Sequence, residues 1–478
     1  MRVSLVLVAL LILLVFPTVT HATGWSSFQN DDGNTGVQTD APRENPAVKW
    51  SYETQGDVVS SPVVSDGKVY VATFSGSYDG TVYLLRNLGM AYAAAPNQTG
   101  NVYGFDRETG DVDWRVWVNG SVWSTPAVVN DTVYVGTLAG RVYGIDSSTG
   151  NVEWNFDADE PVLSVASSGE HVYVGTRSYN AHGNYTNSEY PFYALNRTDG
   201  SVSWQTGVEE GVSSTAGVSH DRVYVGGGNG SLRTLNRSTG ETVWGFETAG
   251  SSVIDDPLAE SGGIASAPTV VGDTVYFASY PGNVYAVNRT DGEKRWNYSV
   301  TGEPTSTVIA TSPAVYDGTV YIGSYDNSLY ALDADTGRQR WSFPAEDKIK
   351  DSSPVVANGT VYVGSNDGHL YAVDASNGTY LWSYYTGGAV HSSPAVSGGS
   401  LYFTSLNGVH AVEEDRSGEP LPQQGSDDGG EETARAHAEK DRGVQMGVLY
   451  PLLLSFGIVS VMAVGHFYYR RRERGDDR

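Results

Sequence analysis

The sequence has no cysteine and only six lysines among its 478 residues. Without cysteine, disulfide bonds, thiolate metal sites and cysteine nucleophiles are all excluded. The lysines form no basic cluster and the formal net charge is −26, which argues against a nucleic-acid partner. This acidity fits either a solvated surface suited to high salt or a set of cation sites. Gly-x-Ser-x-Gly elbows, Walker loops and dinucleotide fingerprints are also missing, so nothing indicates a hydrolase or a kinase.

A phrase of three residues at fixed spacing recurs seven times: Asp or Asn, Gly four positions later, and Trp four positions after the Gly. The Asp or Asn side chain can hydrogen-bond its own backbone to start a turn, and Gly supplies the positive φ of a tight reversal. The Trp begins the return strand, where its ring can bury apolar area against a neighbouring unit. The copies are Asp106-Gly110-Trp114, Asp146-Gly150-Trp154, Asn196-Gly200-Trp204, Asn236-Gly240-Trp244, Asn288-Gly292-Trp296, Asp333-Gly337-Trp341 and Asp374-Gly378-Trp382.

Between these phrases the chain alternates apolar and polar residues in short runs bounded by Gly, Asp and Asn, which is typical of half-buried strands joined by hairpins. The sixth unit serves as a template. It predicts strands over 312–315, 319–323, 329–332 and 340–343, which together form a four-stranded antiparallel blade.

The units start eight times but close with only seven complete phrases. The eighth unit lacks its own fourth strand, and Val48-Lys-Trp50-Ser-Tyr52 has the pattern of that strand upstream of the first unit. Units of 40 to 50 residues match propeller blades, and a ring removes the exposed edges that an open solenoid would leave. The sequence therefore predicts an all-β, eight-bladed propeller whose N-terminal strand closes the last blade. The tryptophans expected to dock between blades are Trp50, Trp114, Trp154, Trp204, Trp244, Trp296, Trp341 and Trp382.

The phrase Ala-x-Asp/Asn-x-x-Thr-Gly-x-x-x-Trp resembles the tryptophan-docking repeat of the quinoprotein dehydrogenase propellers. Trp25-Ser-Ser-Phe28 with Asn34-Thr-Gly36 also resembles the opening of pyrroloquinoline-quinone (PQQ)-repeat proteins. The resemblance covers about 25–418 and implies eight blades, with each Trp stacked on the Gly-bearing turn of the next blade. Proteins of this kind include dehydrogenases and non-catalytic lipoproteins of the outer-membrane barrel-assembly machinery, so the fold does not decide the function.

The segments outside the repeats predict export and anchoring. Residues 1–22 read as a secretory signal peptide, 23–46 as a lead-in segment lying on the body of the propeller, 47–418 as the propeller and 419–443 as an acidic flexible linker. Residues 444–469 carry no Asp, Glu, Lys or Arg and predict a single transmembrane helix. The basic tail 470–478 then predicts a cytoplasmic C-terminus and an extracytoplasmic propeller in the cell membrane.

Eleven Asn-x-Ser/Thr sequons are consistent with an exported, glycosylated chain. They lie at Asn97, Asn119, Asn130, Asn184, Asn196, Asn229, Asn236, Asn288, Asn297, Asn358 and Asn377.

Strand parity places all long insertions on one face of the ring. Those at 75–100 and 177–191 join second and third strands, and those at 248–265 and 301–311 join neighbouring blades. Irregular loops on a rigid scaffold often carry binding function. A calcium site at Asp255, Asp256 and Glu260 has too few ligands and the wrong spacing, and His369 and His391 show no metal pattern and are read as structural. The candidate residues of the binding-face loops are Tyr78, Tyr92, Tyr179, His182, Tyr185, Asp255 and Asp256.

Two functions remain open. The first is a membrane-anchored scaffold that binds a protein, glycan or small ligand at the cell surface without a cofactor. The alternative is a dehydrogenase of alcohols or sugars using PQQ with calcium. No catalytic base or metal set can be matched to that alternative residue by residue, and a chain without cysteine cannot form the vicinal disulfide common in such enzymes. The scaffold is therefore the preferred hypothesis.

Overall fold

Strands arranged in eight separate sheets make up the described part of the chain, which confirms the predicted eight-bladed propeller. The structure is a computed structural model that describes residues 28–29, 31, 34–38, 40–44, 46–74, 99–177, 189–249, 263–280, 282–300 and 308–415. These residues contain thirty-three strands and no helix. None of their segments is a helix long and apolar enough to cross a membrane, and the apolar run 444–469 lies outside them.

Each blade is a meander of four antiparallel strands, numbered from the channel outward. The first four blades comprise β3 (Val63–Ser65), β4 (Lys68–Ala72), β5 (Thr99–Asp106) and β6 (Val112–Asn119); β7 (Ala127–Val129), β8 (Thr132–Gly136), β9 (Arg141–Asp146) and β10 (Val152–Asp157); β11 (Val162–Ser168), β12 (His171–Thr176), β13 (Glu189–Asn196) and β14 (Val202–Glu209); and β15 (Gly217–Ser219), β16 (Arg222–Gly226), β17 (Ser231–Asn236) and β18 (Thr242–Glu247).

The remaining four blades complete the ring, and two short N-terminal strands join them. Blades 5 to 8 comprise β19 (Thr269–Val271), β20 (Thr274–Ser279), β21 (Asn283–Asn288) and β22 (Lys294–Ser299); β23 (Ala314–Tyr316), β24 (Thr319–Gly323), β25 (Ser328–Asp333) and β26 (Gln339–Pro344); β27 (Val355–Ala357), β28 (Thr360–Gly364), β29 (His369–Asp374) and β30 (Tyr380–Tyr385), with β1 (Val37–Gln38); and β31 (Ala395–Ser397), β32 (Ser400–Ser405) and β33 (Gly408–Glu414), with β2 (Pro46–Glu53).

The hydrophobic core lies between blades. Apolar residues of the second strands are fully buried on both sides of each sheet because a neighbouring blade covers each side. Val133 and Val135 pack with Val102 and Trp114 of blade 1, whereas Tyr134 packs with residues of blade 3. Each blade therefore needs two neighbours, and a closed ring provides them.

The ring closes as the sequence predicts. Strand β2 pairs antiparallel with β33, and its register runs from Pro46 opposite Glu414 to Glu53 opposite Gly408. N-terminal residues thus supply the fourth strand of blade 8. Both ends of the propeller lie in one blade, so neither can detach without opening the ring.

The described residues of the lead-in segment pack against the inner strands of the ring. Strand β1 pairs in parallel with β27, the innermost strand of blade 7. The Asn34 amide donates to the carbonyls of Ala216 (3.3 Å) and Pro268 (3.2 Å). On the next two blades, the Gln29 amide donates to the carbonyls of Pro313 and Pro354, each at 3.4 Å. The segment thereby links the inner strands of blades 4 to 7.

Every docking tryptophan contacts the next blade in the same way. Its indole nitrogen donates to a backbone carbonyl at 2.8 to 3.2 Å, and in seven cases its ring covers the Gly of the closing phrase next door, where an added Cβ would lie 2.5 to 2.8 Å from the ring. The pairs are Trp50–Arg107, Trp114–Ser147, Trp154–Arg197, Trp204–Arg237, Trp244–Arg289, Trp296–Ala334, Trp341–Ala375 and Trp382–Arg43.

The last pair shows how the eighth junction is completed. Blade 8 has no closing phrase, and the carbonyl of Arg43 in the lead-in segment accepts the indole N–H of Trp382 at 3.1 Å. The Arg43 guanidinium also pairs with Asp374 of blade 7 at 3.0 Å. The lead-in segment therefore substitutes for the missing turn before it continues into β2.

The two faces of the ring are built differently. The turn face carries the hairpins between first and second strands and the closing phrases between third and fourth strands. These are bonded to each other in every blade that has a phrase; in blade 6, for example, the Ala334 N–H donates to the Gly318 carbonyl at 2.9 Å. The opposite, loop-bearing face carries all the other connections. Strand β33 ends on the turn face, since Glu413 pairs with Ser400 of the hairpin there.

Candidate functional site

The loop-bearing face contains every long connection between described strands. Blades 1 and 3 have theirs between β4 and β5 and between β12 and β13, and two more separate β18 from β19 and β22 from β23. Strands β5, β6, β13 and β14, which flank the first two insertions, are eight residues long, whereas the third and fourth strands of blades 2, 4, 5, 6 and 7 have six. Two extra residues add about 7 Å to a strand. The candidate residues Tyr78, Tyr92, Tyr179, His182, Tyr185, Asp255 and Asp256 all lie outside the described residues.

A chain of hydroxyl groups ties the blades together at the channel mouth on this face. The Ser393 N–H donates to Ser61 Oγ, the Ser353 N–H to Ser393 Oγ and the Ser312 N–H to Ser353 Oγ, each at 2.9 Å. The Ala267 N–H continues the chain by donating to Ser312 Oγ at 2.8 Å. The residue before each repeated Pro therefore fixes the spacing of blades 5 to 8 and blade 1. The mouth is a rigid frame from which the insertions extend.

Charged side chains lie where the chain enters the inner strands of blades 7 and 8. Lys350 is buried, with its amino group 4.0 Å from the Asp351 carboxylate. The same carboxylate lies 3.8 Å from Nδ1 of His391, which precedes the inner strand of blade 8 and is also buried. One carboxylate thus approaches two groups that can carry positive charge, and it links neighbouring blades at the mouth.

A second buried charge lies at the base of the insertion in blade 3. Arg177 follows β12 directly and is almost completely buried. Its Nη1 donates to Ser213 Oγ at 3.4 Å, and an added Cβ on Gly228 would meet Nη2 at 2.5 Å. Burial raises the pKa of the nearby Glu210 carboxyl, and the positive charge of Arg177 opposes that shift. The guanidinium holds the root of the insertion against blade 4.

The histidines read as structural have local partners. His369 Nδ1 lies 3.1 Å from Asp367, which also accepts the hydroxyl of Tyr371 at 2.9 Å. Burial alone would raise the pKa of Asp367, but hydrogen bonds from His369, Ser365 and Tyr371 together hold it below its ordinary value. This cluster shapes a tight connection in blade 7 and leaves the carboxylate no open coordination position.

The described residues do not fit PQQ with calcium. Across the parts of the chain that the structure describes, no three His, Asp or Glu side chains are close enough to hold a metal ion. The sequence has no cysteine to stack against a quinone. Amide groups of Gln29 and Asn34 occupy the hydrogen-bonding positions of four inner strands in the channel. The described residues therefore supply neither the metal ligands nor the stacking group that PQQ with calcium would need.

Comparison with known proteins places the chain in a family. The sequence profile described as "Outer membrane protein assembly factor BamB" matches residues 87–188, 185–327 and 305–437, well over half of the chain. The chain belongs to this family of PQQ-repeat propellers. Its BamB-type members include a protein from Yersinia pestis that is 32% identical over 145 residues, or 30% of this chain and 32% of the relative. The chain therefore aligns with about a third of the length of the curated BamB relatives that it matches.

Solved structures show the same fold. BamB from Moraxella catarrhalis is 20% identical with a TM-score of 0.60, over 77% of this chain and 99% of that one. The quinohemoprotein alcohol dehydrogenase from Comamonas testosteroni is 14% identical with a TM-score of 0.66, over 84% and 82% of the two chains. Members of both functional classes thus share the ring, and at these identities the likeness shows the fold alone.

Three features of the site were missed by sequence reasoning. The hydroxyl chain has a signal in the Ser-Ser-Pro that begins the units of blades 1, 7 and 8 at residues 60, 352 and 392. The burial of Arg177 and Lys350 had none, because an isolated basic residue beside a turn normally lies in solvent. The lead-in path also had none, because its polar residues show no periodicity.

Proposed function

We propose that this protein is a membrane-anchored, extracytoplasmic scaffold whose loop-bearing face binds a protein partner. The observation that carries the proposal is the uneven distribution of insertions within that face. They occur in blades 1 and 3 and at the blade 4–5 and 5–6 junctions, whereas the connections of blades 7 and 8 are short. The long loops thus lie between blade 1 and the blade 5–6 junction and are absent from the described connections of blades 7 and 8, as expected of a binding surface that uses part of one face.

A protein partner is supported by the relatives and by the construction of the site. The BamB proteins are named as outer membrane protein assembly factors, and assembly requires contact with other proteins. The eight-residue outer strands of blades 1 and 3 support the two insertions at their bases. In blade 3 the buried Arg177 also holds the base of the insertion. Fixed roots lower the conformational cost of presenting loops to a partner.

Anchoring is supported by the apolar run 444–469 and the basic tail that follows it. The last strand of blade 8 ends at Glu414 on the turn face. Protease added to intact cells should release a soluble fragment cut near residue 425. If instead the propeller is protected and only the tail is cleaved, the proposed orientation is reversed.

The binding proposal is tested by shortening the insertions. Replacing 75–98 or 178–188 by a short Gly-Ser connection should abolish co-purification of the partner from detergent-solubilised native membranes, with little change in thermal stability. A matched variant on the turn face is Gly318→Val, which introduces a β-branched residue at φ +67 and should lower stability while the partner stays bound. Retention of every partner by both shortened proteins would contradict the proposal.

A further inference from the structure

Three of the seven closing phrases use Asn where the others use Asp. Asn196, Asn236 and Asn288 occupy this position in blades 3, 4 and 5, which are consecutive. Each is followed two residues later by Thr or Ser, so each forms an Asn-x-Ser/Thr sequon. Asp fills the position in blades 1, 2, 6 and 7 with the same turn and the same docking of Trp. The fold therefore accepts either Asp or Asn at this position, and only Asn makes the turn a sequon.

The three amides have one geometry. Each Oδ1 accepts the backbone N–H of the sequon's hydroxyl residue, at 2.8 Å from Thr198, 2.9 Å from Ser238 and 2.7 Å from Thr290. Among the described residues, the Nδ2 of these amides donates no hydrogen bond. The hydroxyl residues are exposed and the Asn residues are partly buried. Both residues that define each sequon thus reach the folded surface.

Three other sequons in the described part of the chain have a buried hydroxyl residue instead of an exposed one. Ser121, Ser231 and Thr360, the hydroxyl residues that follow Asn119, Asn229 and Asn358, are buried to 98% or more. The Nδ2 of Asn229 also donates to Glu209 at 2.8 Å. Asn377 and Thr379 in blade 7 are exposed and make the same amide contact, but Asn377 does not hold the Asp/Asn position of the closing phrase, and the Gly378 between them packs beneath Trp341. Asn297 and Ser299 are also exposed, but they lie in the regular strand β22, where the Ser299 hydroxyl donates to Asn283 at 2.5 Å. Asn130 lies in a hairpin at positive φ.

We propose that Asn196, Asn236 and Asn288 are N-glycosylation sites that carry oligosaccharides on the turn face of blades 3 to 5. In the transfer, Nδ2 forms a bond to the anomeric carbon of the first sugar of a lipid-phosphate-linked oligosaccharide. The bond between that carbon and the phosphate oxygen breaks, the lipid phosphate leaves with the electron pair, and one amide proton is released. No oxidant or reductant is required.

The location of the sites has a consequence for binding. All three lie on the turn face, because they belong to the connections between third and fourth strands. Bulky, hydrated glycans there would exclude a protein partner from this sector. The opposite ends of the same blades carry the insertion of blade 3 and those flanking blade 5. Glycans on one face and loops on the other would therefore direct partners to the loop-bearing face.

The test uses the full-length protein purified from the membranes of its native source. Peptide mass spectrometry should find Asn196, Asn236 and Asn288 modified by a sugar-containing mass. The triple variant N196D/N236D/N288D should lose that mass and keep the melting temperature within a few degrees, since Asp caps the same turn in four other blades. Unmodified peptides at all three positions, or glycans confined to Asn119, Asn229 and Asn358, would overturn the proposal.

A gain-of-site variant provides an independent check. In blade 2, Asp146 accepts the Ser148 N–H at 3.1 Å in the same turn, and Ser148 is exposed. Asp146→Asn therefore creates an equivalent sequon and should add one glycan. As a control, D146N/S148A introduces the amide but removes the hydroxyl of the sequon, and it should add no glycan. Failure of D146N to gain mass while the three natural sites are occupied would show that turn geometry and exposure do not determine occupancy.

Discussion

Replacing Trp50 tests whether the N-terminal strand carries the same share of stability as a strand within a blade. The Trp50 side chain is 7% exposed, donates to the Arg107 carbonyl at 2.9 Å and lies over Gly110 of blade 1. Removing a ring buried in this way costs about 3–5 kcal/mol. We expect Trp50→Ala to lower the free energy of unfolding by that amount, as Trp341→Ala should in blade 6. Denaturant unfolding followed by fluorescence and circular dichroism measures both.

The control for this experiment is a tryptophan that does not dock. Trp117 on β6 is 55% exposed and its ring lies 5.0 Å from the Arg115 guanidinium, an exposed contact worth about 0.5–1 kcal/mol. Trp117→Ala should therefore cost no more than about 1 kcal/mol. A chain that begins at residue 53 should lose far more than Trp50→Ala, since all of β2 except Glu53 is missing. If Trp50→Ala were as mild as Trp117→Ala, or if the shortened chain kept full stability, the closure argument would be refuted.

Three further outcomes are expected. Gly110 and Gly67 both have φ +76, but an added Cβ would lie 2.6 Å from the Trp50 ring at Gly110 and more than 4 Å from any atom at Gly67. In denaturant unfolding, Gly67→Ala should cost only the backbone strain of about 1–2 kcal/mol, and Gly110→Ala should cost clearly more. Burial lowers the pKa of His410 from 6.5 to about 4, so the free energy of unfolding should be at its full value above pH 6.5 and fall by about 3 kcal/mol as the pH drops to 4. The pH dependence of unfolding should flatten by that amount in His410→Gln, and an unchanged slope would contradict this prediction. Adding PQQ and Ca²⁺ to the purified protein should give no dye-linked oxidation of alcohols or aldoses, and turnover would revive the dehydrogenase alternative.

The repeat made the ring predictable from the sequence, whereas the lead-in path was not. The closing phrase encodes both a turn and a docking Trp, and each contact is made with the adjacent unit. The lead-in contacts instead join residues separated by 182 positions for Asn34 and Ala216, and by 325 for Gln29 and Pro354. No local pattern encodes such pairs, because their geometry exists only after the ring has closed.

For the candidate site, the sequence predicted which face of the ring carries the insertions but not which side chains are buried there. Strand parity assigned the insertions to one side because it depends on counting strands, which the repeat fixes. The burial of Lys350 depends on how blades 7 and 8 converge at the channel mouth, and nothing in the sequence near Lys350 distinguishes it from Lys348, which is only partly buried. The chemistry of the face therefore had to come from the structure.

The docking geometry explains why the long insertions lie on the loop-bearing face and not on the turn face. In blade 6 the Gly318 carbonyl holds the Ala334 N–H, and the Ala334 carbonyl holds Trp296 of blade 5. A longer loop at either turn would break this relay and release the neighbouring Trp, so the turn face is closed to insertions for structural reasons in a scaffold and in an enzyme alike. The same constraint does not act on the loop-bearing face, where blades 7 and 8 keep short connections and blades 1 and 3 do not. The ring gives no reason for that difference between blades, so a partner that contacts one sector is the explanation we favour.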